Sequence, residues 1–269
     1  MSDRTFENLS VIITGASSGI GWELSRQLAV QGARVILAAR QAEKLGELAD
    51  ECKVLGGQAL VVPTDVTDPE KCRGLVDRTV EAFGRLDMLV NNAGITMWAR
   101  FDEVTDLSLF EKIMRVNYLG SVYCTYYALP HLKQSKGRIV GVSSLTGKGG
   151  VPTRSGYAAS KHAMAGFFDS LRIELKGSGV TVTMTYPGFV STGIQARGFG
   201  PNGTPLGHNP LQLNKVMSTE VCARIIIQAA ARRKREEVMT LRGKLGQWIK
   251  LIAPSLVDRI ASKAIREGK

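Results

Sequence analysis

Histidine and cysteine are scarce in this chain of 269 residues, which has three of the former, His131, His162 and His208, and four of the latter, Cys52, Cys72, Cys124 and Cys222. No cysteine forms a CxxC pair or lies beside a histidine cluster, and a histidine site would need ligands from distant segments. Neither a disulfide framework nor a zinc centre is expected, and no metal is assigned. There is no run of about eighteen apolar residues, so no spanning helix is expected. The start, MSDRTFENLSVIITGASSG, lacks the basic segment, apolar run and cleavage site of a secretory signal, which points to a cytoplasmic protein. Solenoid repeats and low-complexity linkers are missing as well.

The chain is 44% hydrophobic with a mean hydropathy of −0.01, enough for one compact domain over residues 1–269. Its net charge is +11, and the 38 residues from Arg232 to Lys269 hold eleven Lys/Arg against four Asp/Glu, or +7. That asymmetry speaks of partners, not of fold. No nucleic-acid-reading motif accompanies the charge, so a nucleic-acid partner is not expected.

LSVIITGASSGIGWELSRQLAVQGARVILAAR reads as a strand over Leu9 to Thr14, a glycine turn, a helix over Gly19 to Gln31 and a second strand over Val35 to Ala39. QALVVPTD, RLDMLVNNAG, GRIVGVSS and VTVTMTYPG continue the rhythm, followed by a helix over Thr219 to Arg235 and a last strand in EEVMTL. Strands alternating with helices of this length predict an α/β fold, a Rossmann-like doubly wound parallel sheet of about seven strands with helices on both faces. Ligands of such sheets sit beyond the carboxyl ends of the strands, and here those ends carry the unusual sequences. The Gly-, Pro- and Asn-rich stretch at about 189–217 follows a strand end and is long enough to close over a ligand.

Gly15, Gly19 and Gly21 stand between strand and helix, where missing side chains let backbone approach a pyrophosphate and free amides face it. This predicts dinucleotide binding. After the second strand, where a free ribose 2′-hydroxyl is commonly met by a carboxylate, the chain has Ala39 and Arg40; a guanidinium suits a 2′-phosphate, so NADP(H) is preferred and NAD(H) stays open. Asp65 either accepts from an adenine amino group or caps the helix that begins near Asp68.

TGASSGIG at 14–21, NNAG at 91–94, Asn117 in RVNYLGS, Ser143 and Ser144 in GVSSLTGK, Tyr157 and Lys161 in YAASK, and YPGFVST around Pro187 occur in one order. Together they resemble the short-chain dehydrogenase/reductases in their common single-domain form. The resemblance implies a catalytic set of Ser144, thirteen residues before Tyr157, with Asn117, forty before it, and Lys161. It also implies a cofactor path over Gly15, Ser17, Ser18, Gly19, Ile20, Gly21, Arg40, Asp65, Val66, Asn91, Ala93, Gly94, Tyr157, Lys161, Pro187, Gly188, Val190 and Thr192. By the same resemblance Asn117 positions a water beside Lys161, and Thr192 contacts the nicotinamide carboxamide.

Tyr157 and Lys161, one helical turn apart, suit acid/base work on a carbonyl or alcohol, the ammonium favouring the phenolate, while Ser144 holds the substrate oxygen. A serine hydrolase is excluded by the absence of a GxSxG elbow and of a paired histidine; His162 points to another helix face. Met97, Trp98, Leu145 and Phe189 are candidate walls for a hydrophobic ketone or alcohol, lipid- or steroid-like. The expected protein is an NADP(H)-dependent carbonyl reductase or alcohol dehydrogenase, with an NADP-binding sensor or scaffold as the alternative. The resemblance implies a homo-dimer or homo-tetramer. The extension at about 243–269 alternates Trp248, Ile249, Leu251, Ile252, Leu256, Val257, Ile260 and Ile265 with basic residues, divided by Pro254. Packing against its own domain, covering the cleft, joining protomers or lying peripherally on an anionic membrane are its candidate roles.

Overall fold

The structure, a computed structural model, describes residues 5–208 and 216–266. Residues 209–215 of the predicted loop, residues 267–269 of the extension and the side chain of Ile265 lie outside the described residues. Strands β1 (Ser10–Thr14), β2 (Arg34–Ala39), β3 (Gln58–Pro63), β4 (Met88–Asn91), β5 (Arg138–Val142), β6 (Thr181–Tyr186) and β7 (Glu236–Val238) form one sheet in the order 3-2-1-4-5-6-7. Every pairing is parallel. The order reverses between β1 and β4, which opens a crevice beyond their carboxyl ends.

Alternation along each strand sends neighbours to opposite faces. Val11 and Ile13 of β1 join Leu24 and Leu28 of α1 (Gly19–Val30), Leu45 and Leu48 of α2 (Ala42–Val54) and Ile226 of α7 (Thr219–Ala231) in one core layer. Ile12 faces the other way, into a layer with Leu75 of α3 (Pro69–Phe83), Leu132 of α5 (Gly120–Ser135) and Phe168 of α6 (Ser155–Glu174). The four cysteines are buried free thiols, and Cys72 and Cys124 meet across α3 and α5 at 3.5 Å between sulfurs.

Local signals set the helix ends. Asp68 caps α3 by accepting from the amides of Glu70 and Lys71, so capping there falls to Asp68. The Asp65 carboxylate instead closes its own turn, accepting from the amide and hydroxyl of Thr67. The predicted helix from Thr219 to Arg235 stops at Ala231, because Arg233 adopts φ +49° and its guanidinium reaches the Lys136 and Gly137 carbonyl oxygens at 2.8 and 3.3 Å, which turns the chain into β7. Between α4 (Ser108–Met114) and α5 one wider turn, residues 115–119, follows π-helical spacing around Asn117.

The amino end of β1 is held by Asp87, which is buried. Its carboxylate accepts from the Ser10 amide at 2.9 Å and from two guanidinium nitrogens of Arg85 at 2.6 and 3.0 Å. Asp87→Ala strands the Ser10 amide and should cost about 2–4 kcal/mol in urea unfolding, more than any exposed carboxylate substitution. A loss under about 0.5 kcal/mol would show that the seam does not need this bond.

Candidate active site

One cleft of about 1160 Å³ runs along the carboxyl edge of the sheet. It exceeds the roughly 300–1,000 Å³ of ordinary ligand pockets, so it has room for a dinucleotide and a second molecule. Its floor at the dinucleotide end is the turn after β1, where Gly15 and Gly19 adopt φ +67° and +58°. A Cβ on Gly19 would stand 2.9 Å from Thr192 Cβ, and one on Gly21 would stand 2.3 Å from the Gly15 carbonyl oxygen. Gly15, Ser17, Ser18, Gly19 and Ile20 line the cleft; Gly21 lies behind them and lets α1 pack against the turn. The Ser18 side chain makes no capping bond to α1, which leaves the first amides of that helix facing the cleft.

Arg40, Asp65 and Val66 line the same end. Burial alone would raise the pKa of Asp65, yet the hydrogen bonds from Thr67 and the charges of Arg40 and Lys71 hold it below the ordinary value. Ala93, Gly94, Pro187, Gly188, Val190 and Thr192 follow along the wall. Asn91 does not: its side chain is buried and donates to Thr125 Oγ1 at 3.0 Å. Its neighbour Asn92 takes the place in the lining, because alternation at the strand end turns the next residue outward. The glycine cradle, free helix amides and exposed guanidinium of Arg40 fit a phosphorylated dinucleotide.

Tyr157, Lys161 and Ser144 meet at the other end. The helix α6 carries the first two one turn apart, and Ser144 begins the short 3₁₀ turn after β5. Burial pushes the Tyr157 phenol up, while the charge of Arg154 and a hydrogen bond with Ser144 pull it down, with the balance above the ordinary value. Lys161 Nζ lies 5.8 Å from the Tyr157 ring centre and donates to the Val142 carbonyl oxygen at 2.9 Å. Burial lowers its pKa from 10.5 to about 8. The ammonium still carries its charge at neutral pH and stands one helical turn from the phenol. Ser143, by contrast, is buried and donates to the Lys161 carbonyl oxygen at 3.3 Å.

Asn117 is fully buried and lies behind the lining. Its Oδ1 accepts from the Ile95 amide at 2.8 Å, and its Nδ2 donates to the Ile95 carbonyl oxygen and Ser160 Oγ, each at 2.9 Å. A Cβ on Gly94 would lie 3.3 Å from Asn117 Oδ1 and 3.7 Å from Lys161 Nζ, so Asn117 and Lys161 face each other across Gly94. Leu145 and Phe189 line the cleft; Met97 does not, being fully buried in the apolar cluster against Tyr157, Leu109 and Ile113. Trp98 also leaves the lining, because its ring is covered by the Arg154 guanidinium 3.6 Å from its centre. The exposed His162 stays outside, its Nδ1 2.8 Å from the Ala158 carbonyl oxygen.

Residues the motif pattern passed over also reach the cleft: Gln195, Arg154, Arg197, Thr240 and Arg242. Arg197 donates to Ser18 Oγ at 3.0 Å, strapping the loop after β6 to the glycine turn. Arg154 alone carried a sequence signal, a cation one turn before the tyrosine.

Because Lys161 titrates near 8 in the fold and near 10.5 when unfolded, the native chain binds fewer protons than the unfolded one between these values. This group therefore adds stability as pH rises from about 8 to about 10. Unfolding free energies of the parent minus those of Lys161→Met should climb over this window, which cancels the opposing thiol contributions common to both; a flat difference refutes the buried-ammonium assignment.

The description short chain dehydrogenase matches residues 10–199. The 11-beta-hydroxysteroid dehydrogenase-like 2 of Arabidopsis thaliana is 36% identical over 262 residues, 94% of this chain and 81% of its own length. The 11-beta-hydroxysteroid dehydrogenase A of Sesamum indicum is 38% identical over 254 residues, 92% of this chain and 73% of its own. The dehydrogenase/reductase SDR family protein 7-like of Dictyostelium discoideum is 35% identical over 269 residues, 97% and 83% of the two chains. Among solved structures, the alcohol dehydrogenase from the archaeon Thermococcus sibiricus complexed with 5-hydroxy-NADP shares the fold, with TM-score 0.76 over 87% of this chain and 96% of its own at 24% identity. A match running from the first residue of β1 into the loop beyond β6, joined by relatives at 35–38% identity along more than nine-tenths of the chain, establishes that this protein belongs to the short-chain dehydrogenase/reductase family of oxidoreductases.

Proposed function

We propose that this chain is an NADP(H)-dependent oxidoreductase that interconverts an apolar ketone and its secondary alcohol, the substrate being lipid- or steroid-like. The observation that carries this reading is a single cleft with Arg40 at one end and Tyr157 beside Ser144 at the other. Leu145, Val151, Phe189, Ile194 and Phe199 give the reactive end an apolar wall. Relatives named for steroid dehydrogenation agree with that wall.

The bound dinucleotide supplies or takes up the hydride. The Ser144 hydroxyl donates to the substrate oxygen and fixes the carbonyl near Tyr157. Tyr157 donates its phenolic proton to the oxygen as negative charge gathers there, or takes it back in oxidation. Lys161 stands one turn away, with Asn117 across Gly94 holding the backbone at Ile95. The Arg40 guanidinium binds the 2′-phosphate.

The tail helices α8 (Leu241–Ile252) and α9 (Pro254–Arg266) border the cleft through Arg242 and Ala261. Leu241, Leu245, Trp248, Leu251, Ile252, Leu256 and Ile260 are all exposed, with Trp248 at 70%. Six Lys/Arg and a single carboxylate, Asp258, share these two helices. Apolar side chains among cations fit an anionic lipid surface, whereas a symmetric contact with a second copy would set the basic face against itself. The enzyme works at a cytoplasmic membrane face from which an apolar substrate reaches the cleft. No helix among the described residues is long and apolar enough to cross a membrane.

Steady-state kinetics on a panel of apolar ketones test the chemistry. The parent should favour NADPH over NADH, Arg40→Asp should lower kcat/KM for NADPH about 10- to 100-fold, and Tyr157→Phe should lose about 10²–10⁴-fold in turnover while still binding NADPH. Equal use of both cofactors refutes the 2′-phosphate assignment, and a silent parent that binds NADPH favours the sensor.

Sedimentation with vesicles tests the surface. The parent should pellet with phosphatidylserine-containing vesicles and about tenfold less with phosphatidylcholine alone, and Leu245→Ser/Trp248→Ser/Leu251→Ser should stay in solution. Indifference to lipid charge sinks the assignment; a parent dimer dispersed by the same substitutions gives the face to self-association.

A further inference from the structure

Arg154 is a buried cation in the reactive end for which the family motifs supply no role. It precedes α6 and points inward, with only 3% of its surface exposed, although it lines the cleft. Thr153 before it adopts φ +67°, an uncommon conformation for a β-branched residue, and its carbonyl oxygen accepts from the Ala99 amide at 2.9 Å. The guanidinium stacks 3.6 Å from the Trp98 ring centre and lies 5.4 Å from that of Phe189. Nη1 donates to Thr96 Oγ1 at 3.3 Å and Nη2 to Gln195 Oε1 at 2.9 Å, both neutral. Its Nε is buried without a hydrogen-bond partner, and no carboxylate among the described residues pairs with it.

Removing a guanidinium from water without a counter-ion is costly, and nothing in the helix start repays it, since the side chain makes no cap bond. The stacking on Trp98 and the two neutral hydrogen bonds offset part of that cost, and an anion that forms nearby would offset more. The titratable group that feels this charge is the Tyr157 phenol, whose ring centre is 5.7 Å from Arg154 Cζ, close to the 5.8 Å from Lys161 Nζ. We propose that Arg154 is an electrostatic positioning residue, a second cation flanking Tyr157 that stabilises its phenolate while Trp98, Thr96 and Gln195 hold the guanidinium in place. This rests on Tyr157 being the acid/base group.

The two cations differ in durability. Burial leaves Lys161 titrating at about 8, whereas Arg154, lowered to about 10, keeps its charge throughout the neutral range. The remaining charged groups that α4 brings to the cleft are otherwise engaged: Glu111 pairs with Arg115, and Lys112 sits over the Phe199 ring. From the loop after β6, Arg197 is tied to Ser18, and from the turn after β5 comes only the neutral Ser144 hydroxyl. The tail adds Arg242 at the rim.

The test is the pH dependence of alcohol oxidation, which needs the phenolate, in the parent, Arg154→Gln and Arg154→Lys. Arg154→Gln should move the rising limb of log kcat/KM up by about one pH unit and lower the neutral rate about tenfold, and Arg154→Lys should bring the limb most of the way back. Difference absorbance against Tyr157→Phe titrates the same phenol without turnover, so a chain with no measurable oxidation would fail the proposed function while the phenol midpoint still decides Arg154. Thermal melting and NADPH fluorescence check folding and cofactor binding. Should Arg154→Gln not fold, Thr96→Val/Gln195→Ala keeps the charge and frees its side chain; a raised midpoint supports the proposal and an unchanged one overturns it. Equal shifts in Arg154→Gln and Arg154→Lys, or a raised ketone KM with an unmoved limb, also overturn it.

Discussion

The seam between β1 and β4 supports the rest of the cleft. Thr14 Oγ1 donates to the Val90 carbonyl oxygen and accepts from the amides of Asn92 and Ala93, while Asn92 Nδ2 donates to the Thr14 and Gly15 carbonyl oxygens. A short polar cluster thus clamps the glycine turn to the loop after β4 at the place where strand order reverses. Any side chain on Gly15 would meet the Ala93 backbone at 2.8 Å, so clamp and glycine require each other. The turn then cannot drift, and the amides of α1 keep their aim.

At the reactive end the governing quantity is dehydration. Tyr157, Lys161 and Arg154 are buried ionisable groups, and burial moves each toward its neutral form. Burial makes the Tyr157 phenol harder to ionise, and the charge of Arg154 acts in the opposite direction. Aromatic stacking on Trp98 holds Arg154, and a carbonyl bond to Val142 holds Lys161. Rigid placement matters because a charge that relaxes on demand helps less than one already aimed.

The tail obeys a different balance. Through most of the chain large apolar residues are buried in two layers on either side of the sheet, yet α8 and α9 turn a row of them outward. Gly243 lets α8 lie close to the active-site turn, since a Cβ there would meet Leu145 Cδ2 at 2.5 Å. The exposed face is thus carried by a helix that rests on the cleft wall at Leu145.

Periodicity and punctuation alone determine much of this protein: the alternating strands and helices, the glycine turn, Arg40 after β2, and the tyrosine and lysine on one helix face are local facts, carried by spacings of two and of three to four residues. Local pattern failed where a residue's neighbours come from far along the chain. Asn91 and Asn92 are indistinguishable in the sequence, and only the pairing of β4 with β1 and β5 turns one inward to Thr125 and the other to the cleft. Met97 reads as a wall and becomes core because α4 folds over it, and Arg154 is buried only because Trp98, Thr96 and Gln195 close around it. Burial and electrostatic environment are sums over contacts distant in sequence, so they exist only once the tertiary structure has formed.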